Sequence, residues 1–505
     1  MSMPAQQLNS SMTVATLLRG FAEAPDIPIS GIASDTRGVG EGFLFLACRG
    51  QRSHGLDYAA QAIDAGAAAV AYDASTARSI PEIDAPLIPV DALRSRLGDV
   101  ANRFYDHPSQ SVRVLGVTGT NGKTTVAWLL AQCLQRLGKT CGYAGTLGYG
   151  VGELSGGEGM TTPDVVEFHR RLAVFRDAGA SYAAVEVSSH ALTQDRVDGV
   201  AIDTAVFTNL TRDHLDYHGD MEAYGEAKAS LFLAAEPARR IVNVDSEFGS
   251  ALATRCGPDV VAVSMDATRV DSALPHVVVR SAKASAAGFD VSIESSWGAG
   301  SFLLPLHGEF NVANAALVLA FLLSEGVTPD AASAALSAAE APPGRLQRVA
   351  ADHGPDVFVD YAHTPAAVES ALQALRAHCD GALWCVFGCG GDRDAGKRPL
   401  MARAVEKHAD RIVVTNDNPR SEDPAQIIAA VLDGLEDATA ATVIEDRGAA
   451  IAWAIRNAAQ EDVVLLAGKG HETYQLIGNE RRDFSDYGAA AANLRARSGR
   501  WEGGE

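Results

Sequence analysis

The densest chemistry in this 505-residue chain is one short run, Gly116-Val117-Thr118-Gly119-Thr120-Asn121-Gly122-Lys123-Thr124-Thr125. A β-branched stretch over 111–117 precedes it, and a helix is expected over 124–137. Glycines let the backbone wrap a phosphate, and free amides at the helix start donate to it. Lys123 is long enough to reach β- and γ-phosphates, and the Thr124 hydroxyl can touch Mg²⁺. The strict GxxxxGK[ST] spacing is not met, because Val117 holds the first Gly position and Gly116 lies one residue earlier. The plain alternative is a Gly-rich turn, which the strand–loop–helix setting disfavours.

Further polar motifs also follow apolar runs. Glu186-Val187-Ser188-Ser189-His190, then Thr208-Asn209-Leu210-Thr211-Arg212-Asp213-His214-Leu215-Asp216, then Tyr224-Gly225-Glu226-Ala227-Lys228 succeed one another. ATP chemistry needs hard oxygen ligands for Mg²⁺, which suits Glu186. By residue type alone Asp213 is a better ligand than His214, and Lys228 reads equally well as a surface helix cation. Thr161 and Thr162 could simply cap a helix, as could Asn311, and Arg345 could be a hinge cation at the surface.

Near the C-terminus stand Gly388-Cys389-Gly390-Gly391-Asp392-Arg393-Asp394 with Lys397-Arg398-Pro399, then Asp417-Asn418-Pro419-Arg420, then Gly468-Lys469-Gly470-His471-Glu472. An incoming amino acid needs an anion for its ammonium and a cation for its carboxylate. A diamino diacid needs a second such pair. Arg393, Arg420 and Glu472 supply that chemistry, and Arg holds a planar carboxylate bidentately where Lys does not.

These motifs must be held at strand ends. Short strands are expected at 43–46, 182–187, 204–207, 240–244, 357–360, 383–387, 411–415 and 463–467, with helices over 58–65 and 311–323. That alternation predicts an α/β chain, and ligands in open α/β sheets bind beyond the carboxyl ends of the strands. At roughly 150 residues per domain the length predicts three domains. Asp106-His107-Pro108-Ser109 and Ala341-Pro342-Pro343-Gly344 mark the boundaries: 1–107 a small N-terminal α/β domain, 108–345 a central P-loop-type, mostly parallel sheet flanked by helices, and 346–505 a C-terminal Rossmann-like α/β domain.

Hydrophobic residues at 47% and charged residues at 21% are ordinary for a globular chain and exclude disorder as the main state. A net charge of −21 gives no long-range pull on nucleic acid or anionic membrane, so a bound anion must rely on local dipoles, a few cations and metal ions. The seven Cys lack redox or zinc-finger spacing, the start lacks a signal-peptide pattern, and the strongest apolar stretch, 315–323, is too short to span a bilayer. A soluble, reduced, cytoplasmic monomer is expected.

The run TGTNGKTT resembles the ATP loop of the Mur ligase family, which includes the folylpolyglutamate synthases. That resemblance implies ligation of an amino acid to a carboxylate through an acyl phosphate, with ATP and Mg²⁺. It assigns Gly119, Thr120, Asn121, Gly122, Lys123, Thr124 and Thr125 to the nucleotide. The family's GxFN motif places Asn311 near the adenine. Arg345 is placed at the γ-phosphate, and Asp360 and His363 of DYAHTP at the nucleotide end. Residues from two domains around one nucleotide imply closure. Thr124 stays a metal ligand, and Glu186, His214 and a carbamylated Lys228 join it by resemblance. Lys123, Lys228, His214 and Glu186 are the implied catalytic set.

Thr161, Thr162, Ser188, Gln194 and Arg196 are implied contacts of a muramoyl-peptide substrate. Ser34, Thr36, Gln51, Arg52 and Ser53 resemble its uridine and pyrophosphate turns. Met160, where some relatives carry Asn, is not expected to contact it. Within the family, DNPR goes with meso-diaminopimelate, and lysine-adding members carry other residues there. Arg393, Asp417, Asn418, Pro419, Arg420, Gly468 and Glu472 are the implied diaminopimelate set. The implied substrates are UDP-N-acetylmuramoyl-L-Ala-D-Glu and meso-diaminopimelate, in peptidoglycan precursor synthesis. Neither nucleic acid nor membrane insertion is implied. The alternatives are a lysine-adding or folylpolyglutamate cousin, and a P-loop switch or motor ATPase. The clusters beyond residue 380 argue against a switch.

Overall fold

Four short apolar runs near the N-terminus pair in parallel, in the order Gly31–Ala33, Phe43–Ala47, Ala69–Asp73, Leu87–Val90. Alternate side chains of a strand face opposite ways. Leu44 and Leu46 therefore join Val14, Leu17, Val100 and Phe104 on one face, while Phe45 and Ala47 meet Leu56, Ala59 and Ala62 on the other. The computed structural model describes residues 12–50, 53–156, 159–351 and 353–501. The chain forms two compact units, Met1–Val261 and Ala262–Glu505.

At the expected first boundary, Asp106 and His107 take positive φ, and Pro108 then opens a one-turn helix, Pro108–Ser111. Pro suits the first helical position because its missing N–H has no partner there anyway. Six strands follow in the order Arg239–Asn243, Ile202–Phe207, Arg113–Thr118, Tyr182–Glu186, Cys141–Gly145, Gly148–Gly150. All pairs are parallel except the last. Val117 pairs with Glu186 and Thr118 with Phe207, so the phosphate-type loop, the EVSS motif and the TNLTRDHLD motif leave one edge together.

His169 lies fully buried on the helix Val165–Asp177. Its Nε2 sits 2.9 Å from the Asp198 carbonyl, and its Nδ1 has no hydrogen-bond partner among the described residues. Burial pushes its pKa down from 6.5 to about 4. The folded ring stays neutral where the unfolded ring takes a proton, so stability present above pH 6.5 is lost as pH falls towards 4. The Tm, followed by scanning calorimetry, is expected to fall across that window, and His169→Gln to remove part of the slope. An unchanged slope in the variant would discard this cause.

The second unit begins within the strand Val260–Ser264, which pairs in parallel with His276–Ser285. An antiparallel meander continues through Gly288–Ser295 and Gly298–Leu304. The mostly parallel reading did not anticipate it, because its alternation of apolar and short polar residues is weak. The helix Glu309–Ser324 is Ala- and Leu-rich on all sides and is buried almost throughout. Its N-cap is Gly308, so Asn311 lies inside the first turn and is no cap.

The last sheet runs Gln347–Val349, Asp356–Asp360, Val463–Ala467, Leu383–Phe387, Arg411–Val414, Ala441–Val443, parallel after its first pair. Strands 383–387 and 463–467 are buried along their whole length, as a sheet covered on both faces requires. Asp360 and Phe387 both align with Ala467, and Phe387 aligns with Val414. Four polar motifs therefore emerge along one sheet edge. A hairpin that the sequence reading missed, Tyr474–Ile477 with Glu480–Asp483, follows GKGHE.

Candidate active site

The phosphate-type loop links the strand Arg113–Thr118 to the helix Lys123–Arg136. Gly119 has φ +149, and a Cβ there would fall 1.8 Å from Thr208 Oγ1, so only glycine fits. The neighbouring motif fixes the loop. Thr208 Oγ1 donates to the Asn121 carbonyl at 2.6 Å, and the Asn121 amide donates to Asn209 Oδ1 at 3.0 Å. Thr120 Oγ1 lies 3.1 Å from the Tyr224 hydroxyl. Thr124 and Thr125 are buried at the helix start.

Two lysines converge on one carbonyl. Lys123 Nζ donates to Gly119 O at 2.9 Å and to Thr120 O at 2.8 Å, while Lys228 Nζ donates to the same Gly119 O at 2.8 Å. Lys228 is 1% exposed, on the helix Met221–Leu233, with its Nζ 4.3 Å from the Tyr224 ring centroid. Burial first, and the nearby Lys123 charge second, push its pKa down to about 6. Lys228 is therefore a neutral amine at neutral pH, not the surface cation that composition allowed.

Glu186 is 1% exposed and accepts from Thr124 Oγ1 (2.9 Å), Tyr143 OH (2.6 Å), Thr146 N (2.9 Å) and Thr146 Oγ1 (3.3 Å). Sequence reasoning missed Tyr143 and Thr146, which carry no motif of their own. His214 has φ +52, with its Nε2 3.4 Å from Asp213 Oδ2. Its ring stands edge-on to His190 at 4.9 Å, and His190 in turn contacts Tyr217 at 4.2 Å. Among the described residues, no three His, Cys, Asp or Glu side chains form a metal cluster. Glu186 and the Thr124 hydroxyl are hard oxygens already in contact, which fits Mg²⁺. An ammonium on Lys228 does not fit beside a cation, whereas a carbamate would.

Five residues named from sequence join one network around Glu186. Thr162 Oγ1 donates to the Glu186 carbonyl at 2.8 Å and accepts from Ser188 N at 3.0 Å. Thr161 Oγ1 lies 3.2 Å from Thr146 Oγ1. Arg196 Nη1 donates to Thr162 O at 2.8 Å, and its Nε donates to Gln194 Oε1 at 3.1 Å. The helix cap after this loop is Asp164, not either Thr, and Ser34 Oγ donates to Asp164 Oδ1 at 3.2 Å. Thr36 opens a single 3₁₀ turn capped by Asp35, and Ser53 Oγ lies 3.1 Å from Tyr58 OH. Gln51 and Arg52 lie outside the described residues.

In the second unit, Asn311 is 3% exposed and its Nδ2 donates to the His307 carbonyl at 2.8 Å. Asp360 accepts from Leu346 N at 2.7 Å and Ala362 N at 2.8 Å, and burial holds its carboxyl above the usual carboxylate range. Arg345 lies over the Tyr361 ring at 5.2 Å, and the His363 carbonyl accepts from Lys397 Nζ at 3.1 Å.

The three C-terminal clusters meet beyond the strand ends. Arg420 has φ +52 and donates from Nη1 to Gly391 O at 2.7 Å. A Cβ at Gly391 would fall 1.9 Å from the Pro419 carbonyl, so glycine lets the loops touch. The missed hairpin clamps the Arg420 backbone: Arg420 N donates to Leu476 O at 3.0 Å, and Gly478 N to Arg420 O at 2.7 Å. Asn418, 2% exposed, donates to Glu472 Oε2 at 2.9 Å and accepts from Leu476 N at 2.9 Å. Gly468 borders Asp417, and Arg393 is exposed near Gly390.

Ion pairs stand behind these loops. Buried Arg398 bonds the partly exposed Glu422 at 2.8 Å. Arg447 and Asp486, both fully buried, pair at 2.6 Å, and Arg447 also donates to the carbonyls of Asn416 (3.2 Å) and Ala467 (3.0 Å), just before two of the loops. A lone Arg heading an Ala-rich helix was the only signal for Arg447.

Three family models match the chain: the Mur ligase family catalytic domain over residues 28–105, the Mur ligase middle domain over 117–322, and the Mur ligase glutamate ligase domain over 344–470. The chain is 47% identical over 478 residues to a UDP-N-acetylmuramoyl-L-alanyl-D-glutamate–2,6-diaminopimelate ligase of Pseudomonas aeruginosa, covering 94% of this chain and 96% of that one. It is 45% identical over 463 residues to the ligase of the same name from Coxiella burnetii, covering 91% and 94%. A solved structure of a ligase with that name superposes with a TM-score of 0.71 at 33% identity, over 96% of this chain and all of the other.

Proposed function

The chain belongs to the Mur ligase family, and from that premise we propose that it is the ATP-dependent ligase that adds meso-2,6-diaminopimelate to UDP-N-acetylmuramoyl-L-Ala-D-Glu in peptidoglycan precursor synthesis. The observation that carries the choice of amino acid is that the motifs bearing Arg420, Asn418 and Glu472 emerge along one sheet edge, after the strands 411–414 and 463–467 that flank 383–387, with Asn418 bonded to Glu472. A guanidinium and a carboxylate carried on two loops joined by the Asn418–Glu472 bond match the far end of a diamino diacid.

The reaction divides among these groups. The γ-phosphate of ATP passes to the D-glutamyl γ-carboxylate, and ADP leaves. Lys123 and the loop amides offset the crowding of negative charge. Mg²⁺, when bound by Thr124, Glu186, His214 and carbamylated Lys228, would supply further charge neutralisation at the transferring phosphoryl group. Thr161, Thr162, Ser188, Gln194 and Arg196 hold the acceptor near Glu186. The diaminopimelate amine attacks the acyl carbon, and the tetrahedral species collapses to an amide and phosphate. Arg393, Asp417, Pro419, Arg420, Gly468 and Glu472 orient the nucleophile. Asn311, Arg345, Asp360 and His363 serve the nucleotide, and Ser34, Thr36, Gln51, Arg52 and Ser53 the uridine diphosphate.

In this reading residues 1–107 bind the UDP substrate, 108–345 bind ATP and 346–505 bind the amino acid. All seven cysteines are free thiols, and among the described residues no helix is long and apolar enough to cross a membrane. A cytoplasmic monomer is proposed on the sequence reading and the family resemblance.

ADP release tests the function. With the UDP-dipeptide and ATP, release is expected to depend on meso-diaminopimelate and to be at least about a hundredfold weaker with L-lysine, whose missing carboxylate leaves Arg420 unpaired. Equal rates with lysine would favour the lysine-adding cousin. Release without any amino acid would favour a switch ATPase.

A further inference from the structure

Within the GKGHE motif the proposed chemistry uses Gly468 and Glu472 and leaves the lysine without a task. Lys469 is 0% exposed. A buried ammonium is costly unless it is paired and hydrogen-bonded. Its Nζ donates to Glu472 Oε2 at 2.9 Å and to Asn418 Oδ1 at 3.3 Å, and it lies 5.7 Å from the Tyr474 ring centroid. Asn418 Nδ2 donates to the same Glu472 oxygen at 2.9 Å. Oε2 is therefore held from two sides. The Glu472 side chain keeps 22% of its surface exposed, and Oε1 accepts no hydrogen bond among the described residues.

The tether also joins two loops. Asn418 belongs to the loop after the strand Arg411–Val414, and Glu472 to the loop after Val463–Ala467. Asn418 is anchored in turn by Leu476 N, and Gln475 Nε2 donates to the Asp417 carbonyl at 2.8 Å. Asn418 thus spends its amide on protein groups.

We propose that Lys469 is a positioning residue for the amino-acid site, pinning Oε2 of Glu472 against Asn418 so that Oε1 is presented to the ammonium of the incoming diamino diacid. This role rests on the proposed function. Lys469 touches no substrate and acts through Glu472. Without it the carboxylate is held by Asn418 alone and gains rotamer freedom.

The test is a double-mutant cycle on the full-length enzyme, read by ADP release. Lys469→Met is expected to raise the KM for meso-diaminopimelate about 10- to 100-fold, the worth of a charged hydrogen bond, with the ATP KM within about twofold. In a Glu472→Gln background the same change is expected to add less than about threefold, because both substitutions cut one interaction. Lys469→Arg is expected to recover part of the loss. If Lys469→Met does not fold, Lys469→Gln, which keeps an N–H donor without the charge, enters the cycle instead. Additive effects in the cycle, equal shifts in both KM values, or a lowered Tm with an unchanged diaminopimelate KM would overturn the role while leaving the ligase reading intact. A wild-type enzyme that ignores meso-diaminopimelate would overturn both.

Discussion

Lys228→Met is expected to lower kcat by about a thousandfold, the scale for losing one preorganised charge-stabilising group at the reacting centre. Met keeps the length and apolar bulk of the side chain, and the Gly119 carbonyl keeps its bond from Lys123. The loop should therefore survive, and an unchanged Tm would show that it does. What the variant loses is the amine. An amine with a pKa near 6 is free at neutral pH and can attack CO₂; the N–C bond forms and the nitrogen loses a proton. The product is an anion that attracts the Lys123 ammonium and offers oxygens to a metal.

The same chemistry sets a pH dependence. Carbamylation is available above about pH 6 and is lost as pH falls through that value, because the ammonium cannot attack CO₂. Native mass spectrometry of the wild type should find one added CO₂ at pH 8 that disappears on acidification and is absent from the variant. A variant that keeps more than about a tenth of wild-type kcat would end this assignment.

Arg420→Ala is expected to raise the KM for meso-diaminopimelate by roughly a hundredfold or more, since a truncated charge pair typically costs about 2–5 kcal/mol. The ATP KM should move by less than about twofold, because the guanidinium belongs to the loop after Val414 and bonds Gly391 of the C-terminal clusters. The backbone adds to the effect. Arg420 sits at φ +52, held there by Leu476 and Gly478 of the hairpin. A non-glycine residue in that region is strained, and packing around it must over-determine it. Arg420→Gly relieves the strain yet removes the cation, so it should bind the amino acid as poorly as the Ala variant. Equal changes in both KM values, or a Gly variant with near-normal KM, would show that the guanidinium has no role in binding.

Much of the site is legible in the sequence because its chemistry is local. Gly119, Lys123 and Thr124 can be read because a phosphate loop is compact along the chain: a strand end, a turn and a helix start lie within ten residues, and its glycines are required by backbone geometry. The strands 383–387 and 463–467 can be read because a strand buried on both faces must be apolar at every position. Glu472 stands out because a polar motif directly after such a strand needs a reason, and Arg420 because its motif follows the apolar run 412–414.

What sequence left open was decided by long-range contact. Residue type left Lys228 as either cation or ligand; only burial beside Lys123 makes that amine neutral. Tyr143 and Thr146 are unremarkable in sequence, yet they bond Glu186 from the strand Cys141–Gly145 and the turn after it. Arg447 and Asp486 look like ordinary surface charges in one dimension and become a buried ion pair in three, and Lys469 of the GKGHE motif proves to be fully buried. The sequence alone determined which chemistry is present, because strand ends and glycine turns are encoded locally. Tertiary structure alone decided protonation and presentation, because both depend on desolvation and on partners dozens of residues away.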